Sequence, residues 1–176
     1  NQGFDHFQVA LAVPVQRMVQ SDVAGIMFTI NPVTNDKGNI VIEAIWGLGE
    51  RIVQGTITPD HHEVDRQSWN ITNTETIDQK VEMVKKHGRT FDAKVPRSRV
   101  GKRKLTDKQV VEVAKMGKKL HQHYFFPQDI EWAIENGKLY IVQTRPITTV
   151  KATTDKVAAQ GKKSKSDNPK GKLILE

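Results

Sequence analysis

Hydrophobic and polar positions divide this chain into several strand-like segments and one clear helix. Residues 7–19, with the apolar run Val9 to Val15, read as a strand that Pro14 confines to an edge or a bulge. Ala24 to Ile30 form a second strand, stopped by Asn31-Pro32, and Ile40 to Trp46 a third beyond the polar turn Asp36 to Asn39. That turn predicts hairpin pairing of the second and third strands. Trp46-Gly47-Leu48-Gly49-Glu50 leads into a short helical stretch, Arg51 to Gln54, ended by Gly55, and His61 to Arg66 alternates like a strand. Residues 80–104 have little apolar periodicity and read as a solvated excursion. Thr106 followed by Gln109 is a capping box, and Val110, Val113, Ala114, Gly117, Leu120, His121 and Tyr124 form one helical stripe closed by Phe126-Pro127. The expected total is five to seven strands with one long and one short helix, an α+β fold with a mainly antiparallel sheet.

The last strand pair carries the chemistry. Asp129 to Glu135 and Lys138 to Pro146 flank Asn136-Gly137, the strongest short hairpin signal. A strict two-residue turn would pair Glu135 with Lys138 and Glu131 with Val142, leaving Gln143 pointing away from Glu131. A three-residue loop with Gly137 as a bulge would pair Ile134 with Lys138 and set Asp129 opposite Gln143, with Glu131 diagonal to it. The second register is preferred, because it gathers Ile130, Trp132, Ile134, Tyr140 and Val142 on one side. Two carboxylates, an amide and a guanidinium then share the other. Such a cluster suits a magnesium–phosphate site, with Glu131 and Gln143 on the metal and Arg145 forked onto a phosphate. The plain alternative is an exposed hairpin carrying a Glu/Arg surface pair.

Length and composition narrow the classes. The 176 residues suit one domain, or one domain with a tail, and lack of cysteine excludes disulfides and thiolate metal sites. Nothing in the sequence is long and apolar enough to span a bilayer or resembles a signal peptide. A cytoplasmic location is expected. Of the net charge of +7, residues 85–104 carry +8 and residues 151–172 carry +5, which leaves the remainder at −6. The basic runs raise a nucleic-acid-binding alternative, but they lack the interleaved aromatics of a single-strand platform, so nucleic acid is not the expected partner. Gly47-x-Gly49 could bring backbone N–H groups to a phosphate, with a plain tight turn the commoner explanation. His61 and His62, adjacent and therefore on opposite faces, read as surface histidines, and His121 as a satisfied residue at the core edge. Asn1 is not a natural start, so a larger parent protein is expected.

Gln16-Arg17-Met18-Val19, Gly25 to Pro32, Gly47-Leu48-Gly49-Glu50 through Thr58-Pro59-Asp60, and Asp129-Ile130-Glu131-Trp132 through Gln143-Thr144-Arg145-Pro146 resemble, in family order, the nucleotide domain of phosphoenolpyruvate synthases (pyruvate, water dikinases). The resemblance runs from Gln16 to Pro146 and omits residues 67–104 and 151–172. It implies the C-terminal subdomain of an ATP-grasp fold over residues 1–150, a lysine-rich linker over 151–172 and the start of a phosphohistidine domain at 173–176. ATP would phosphorylate a histidine on a swivelling domain, which then phosphorylates pyruvate to phosphoenolpyruvate, with AMP and phosphate released, a gluconeogenic step. The resemblance implies Mg²⁺ as cofactor, with Glu131 and Gln143 as metal ligands and Arg145 and Asp129 serving the phosphates and metal shell. It further places Glu50 near ribose or phosphates, and Gln16, Met18 and Val19 against adenine. Arg145 is the catalytic candidate. The phosphate-binding lysine and arginine of the N-terminal ATP-grasp subdomain, the phosphorylated histidine and the pyruvate site would all lie outside the chain, so the chain alone is expected to have no turnover. Rifampicin phosphotransferases and pyruvate, phosphate dikinases share these motifs and are the alternative acceptor classes; Arg145-Pro146 favours the synthase type.

Overall fold

The computed structural model describes residue 10 and residues 12–148. Eight strands and two helices follow in the order β1 (Val23–Phe28), β2 (Asn39–Trp46), α1 (Glu50–Val53), β3 (Asp60–Asp65), β4 (Ile71–Glu75), β5 (Val81–Lys86), β6 (Arg89–Lys94), α2 (Asp107–Tyr124), β7 (Gln128–Glu135) and β8 (Lys138–Pro146). Six of them form one antiparallel sheet, ordered β4-β3-β2-β1-β7-β8, and β5 and β6 form a separate two-stranded ribbon. The fold is α+β with a mainly antiparallel sheet, as the patterning predicts. β1 and β2 pair as the expected hairpin. Its connection is fixed by side chains: Asn31 Oδ1 accepts from the N–H groups of Val33 and Thr34, and Asp36 Oδ1 from that of Gly38.

α2 covers one face of the sheet. Its Thr106 cap forms both bonds of the capping box with Gln109, and Phe125 in the left-handed region ends it. Val110, Val113 and Ala114 press on Met27, Ile40, Ile42, Val64, Ile130 and Trp132, which makes a single core. Gly117 lets the helix approach: a Cβ there would stand 2.5 Å from the Met27 sulfur. The stripe gives out at its C-terminal end, where Tyr124 is exposed. His121 lies at the core edge as expected, its Nδ1 2.8 Å from Thr29 Oγ1. Among the described residues no helix is long and apolar enough to cross a membrane.

Outside the last hairpin three sequence expectations fail, each for a physical reason. Residues 12–20 form no strand; Pro14 has no N–H to give a ladder, and Val13 and Val15 stand exposed. Residues 7–9 and 11 of that segment lie outside the described residues, as do the linker expected over 151–172 and the domain start expected at 173–176. Much of the supposed excursion over 80–104 is the β5–β6 ribbon, held to the sheet by polar groups that carry no apolar period. The Gln79 amide bonds the N–H and C=O of Trp46, and buried Glu82 accepts from Arg99 at 2.7 Å while Arg99 stacks on the Trp46 ring. At the C-terminal end of the segment Lys104 is buried against Asp60, Nζ to Oδ1 2.6 Å.

His62 is the third failure. It alternates away from His61 as expected, but points inward and is fully buried, with Nδ1 3.2 Å from Thr74 Oγ1. Burial, aided by the positive charge of Arg103, pushes its pKa down to about 4. An unfolded chain therefore takes up a proton between pH 6.5 and 4 that the folded chain refuses. Stability contributed by neutral His62 is complete above pH 6.5 and falls as the pH drops toward 4. Between pH 7.5 and pH 5 the loss is expected to be about 2 kcal/mol. Urea unfolding of the chain and of His62→Gln at both pH values checks this: the variant should lose that part of the pH dependence, and an identical slope would refute it.

Candidate functional site

β7 and β8 show how one strand can serve two faces. Asn136 and Gly137 both have positive φ, 51° and 77°, and make the tight two-residue turn that this dipeptide favours. Glu135 opposes Lys138, Ile134 opposes Leu139 and Trp132 opposes Ile141. The register then shifts, and Glu131 opposes Gln143 while Asp129 opposes Arg145. The expected three-residue loop is therefore wrong. The extra residue is not Gly137 but Val142, bulged out of the middle of β8.

A bulge reverses the side-chain alternation beyond it. Leu139 and Ile141, near the turn, pack against the core, and these take the place predicted for Tyr140 and Val142. Gln143 and Arg145 have the same odd parity but lie past the bulge, on the face away from α2. There Glu131 meets them directly. Its Oε1 accepts from Gln143 Nε2 at 3.1 Å and from the Arg145 guanidinium at 3.2 Å. The shared polar face thus forms with the two-residue turn, which without the bulge would have pointed Gln143 away from Glu131. Asp129 lies at the same end, where burial pushes its carboxyl up and the Arg145 charge works against that shift.

Glu131 also stands at the edge of a cavity of about 580 Å³, within the usual range for small-ligand sites. Gln16, Met18 and Val19 line one side of it, and Leu48 and Glu50 another. The cavity therefore collects four of the sequence-predicted nucleotide and metal residues from the N-terminal segment and α1, together with Glu131 from β7. Asp129, Gln143 and Arg145 are not on its wall; they extend the site beyond Glu131. A mostly apolar slot with charged side chains on its wall suits a planar base followed by phosphates. A carboxylate and a carboxamide are hard oxygen donors of the kind that hold Mg²⁺ together with substrate phosphates, so the residues present fit that ion. Among the described residues no group of three His, Cys, Asp or Glu is placed to hold a metal, so the phosphates would have to complete the shell.

Sequence reasoning missed the hydrophobic walls. Gly25, Ala24 and Val142 line the cavity. Gly25 carried a signal, since a Cβ there would fall 1.9 Å from the Glu43 carbonyl oxygen and 2.5 Å from the Trp132 ring. Val142 carried none, because its place depends on the bulge. Gly47, with φ +82°, does not reach for a phosphate. It admits β5: its Cβ would sit 2.4 Å from the Met83 carbonyl oxygen, which accepts from Leu48 N–H at 2.8 Å.

Residues 1–166 match the family described as the AMP/ATP-binding domain of pyruvate phosphate dikinase. The chain is 49% identical over 162 residues to a probable phosphoenolpyruvate synthase of Pyrococcus horikoshii, covering 87% of this chain and 20% of that protein. It is 40% identical over 176 residues to the corresponding protein of Methanocaldococcus jannaschii, covering 99% of this chain and 14% of the relative. A rifampicin phosphotransferase of Bacillus subtilis is 38% identical over 149 residues, 84% of this chain and 17% of that protein. The chain spans about a fifth or less of the length of these three curated relatives.

Proposed function

The chain belongs to the pyruvate phosphate dikinase AMP/ATP-binding domain family, and on that premise we propose that it is the C-terminal subdomain of an ATP-grasp domain within a cytoplasmic dikinase-type phosphotransferase. The base of ATP lies in the apolar slot beside Met18 and Val19, with Gln16 at its edge and Glu50 toward the ribose or phosphates. Glu131 and Gln143 hold Mg²⁺, which when bound neutralises charge between phosphoryl oxygens. Arg145 forks onto a phosphate, and Asp129 orients it from the facing strand. Phosphoryl transfer needs little covalent help from the protein, so these residues act by placing and neutralising the phosphates.

The observation that carries this reading is the placement of Glu131, Gln143 and Arg145 on one side of the sheet, with Glu131 on the cavity wall and the other two bonded to it. The phosphoryl group passes to a histidine on a swivelling domain and then to pyruvate, giving phosphoenolpyruvate, AMP and phosphate. This chain spans about a fifth or less of its relatives' length, which leaves room for both later stations outside it.

Pyruvate-dependent formation of AMP from ATP tests the reading. The full-length protein is expected to form it, and this chain alone is not. AMP formation that requires rifampicin and ignores pyruvate would transfer the assignment to the other relative's reaction. Pyruvate-dependent turnover by the chain alone would refute the division of labour.

A further inference from the structure

One oxygen of Glu131, Oε1, is held by two donors at once: the Gln143 amide at 3.1 Å and the Arg145 guanidinium at 3.2 Å. An oxygen that accepts two N–H groups has used both of its lone pairs, and Gln143 offers that point its nitrogen, which cannot ligate a cation. For that same oxygen to share a divalent ion with Gln143, the carboxamide must turn over and the guanidinium must leave; with the guanidinium in place a cation meets only Oε2. Leaving is easy, because the Arg145 side chain is 60% exposed and an ion pair of that kind is weak. A phosphate is the natural competitor, since the guanidinium fork matches its oxygens in two parallel bonds. Asp129, directly across from Arg145, places a second carboxylate at that end of the sheet.

We propose, resting on the metal and phosphate roles assigned above, that Arg145 is a phosphate-released latch on the Glu131 carboxylate. It closes Oε1 of Glu131 against a free divalent cation, leaving only Oε2 to bind it weakly, and frees both oxygens when a triphosphate draws the guanidinium away, so that cation and nucleotide enter together. Arg145 is thereby a positioning residue as well as a phosphate contact. The difference is measurable without nucleotide, where a role confined to phosphate contact predicts no more tightening than the loss of another charge on the cavity wall.

The test is a Mn²⁺ titration of the nucleotide-free full-length protein, followed by the electron paramagnetic resonance signal of the free ion. Arg145→Gln is expected to bind Mn²⁺ about fivefold more tightly than the wild type, the factor that corresponds to an exposed pair of about 1 kcal/mol. Arg17→Gln removes the same charge from the cavity wall, where Arg17 lies 3.7 Å from Glu135, and is expected to change affinity less than about twofold. Equal tightening in the two variants would reduce the effect to overall charge and overturn the latch. Unchanged or weaker binding in Arg145→Gln would overturn it too. Adding Glu131→Gln to Arg145→Gln is expected to abolish the tightened binding. A double variant that binds as tightly as Arg145→Gln alone would overturn the assignment of Glu131 to the metal, and the latch with it.

Discussion

Glu131→Gln in the full-length protein is expected to lower ATP-dependent phosphorylation of the enzyme by about 100-fold or more, the range seen when one preorganised charge-stabilising group is lost. The substitution keeps the shape of the side chain and removes its charge. Glu131 is the point on which both neighbours converge, so the neutral amide loses a hard anionic ligand and releases Gln143 and Arg145 together. Arg145→Ala separates the two losses. If the only task of Glu131 were to aim Arg145, the two variants would be equally slow and the double variant no slower. If Glu131 holds the cation, raising Mg²⁺ should rescue part of the Glu131→Gln defect and none of the Arg145→Ala defect. Quench-flow measurement of phosphoenzyme formation at several Mg²⁺ concentrations distinguishes these outcomes, and normal phosphorylation by both variants would remove the site from this hairpin.

The residues of that site were legible in the sequence, while the geometry joining them was not. Glu131, Gln143 and Arg145 stand out because charged and amide groups interrupt strands that are otherwise apolar. The turn chemistry of Asn136-Gly137 was legible too, and a strict two-residue turn is what forms. What no residue announces is the bulge at Val142. Valine is a good strand former, and a bulge in mid-strand is decided by the need to satisfy the core on one side of it and the cleft on the other. The longer loop is the reading the sequence favours, because it separates an apolar side from a polar one. The chain reaches a similar division with the adjustment placed five residues later.

The same contrast holds elsewhere. The helical stripe and capping box of α2 are local and periodic, and were readable. β4, Ile71–Glu75, is mostly exposed and polar, and the β5–β6 ribbon is anchored through Gln79, Glu82 and Lys104. Anchors of that kind depend on partners far away in sequence, and a hydropathy pattern has no term for them. His62 fails for a related reason: its burial follows from the facing of β3, which also turns Asp60 and Val64 inward.

Asp60→Ala is expected to destabilise the chain by about 3–5 kcal/mol, the usual result of stripping one partner from a buried ion pair. Asp60 and Lys104 are both almost completely buried, and the aspartate does more than balance charge. Its Oδ1 also accepts from the Ile77 N–H at 2.8 Å, and its Oδ2 from the Lys104 N–H at 3.0 Å. One side chain thus ties β3 to both ends of the segment carrying the basic ribbon, two residues before the cap of α2. Removing it leaves an unpaired ammonium and two unsatisfied backbone donors. For a chain of this length the loss corresponds to a fall in Tm of roughly 10–15 °C, measurable by calorimetry. Asp60→Asn should fall less, since the amide retains an acceptor, and adding Lys104→Met to it should recover part of the loss by removing the stranded charge. The consequence reaches the site through β5. The Met83 carbonyl bonds Leu48, which lines the cavity, and Asp60 secures the segment from which β5 departs. Asp60 falls within a motif that resembles the nucleotide-site signature, yet its contacts are those of a scaffold residue. ATP affinity per folded molecule should therefore change far less than stability; a large loss of affinity with an unchanged Tm would make Asp60 a ligand-contacting residue instead.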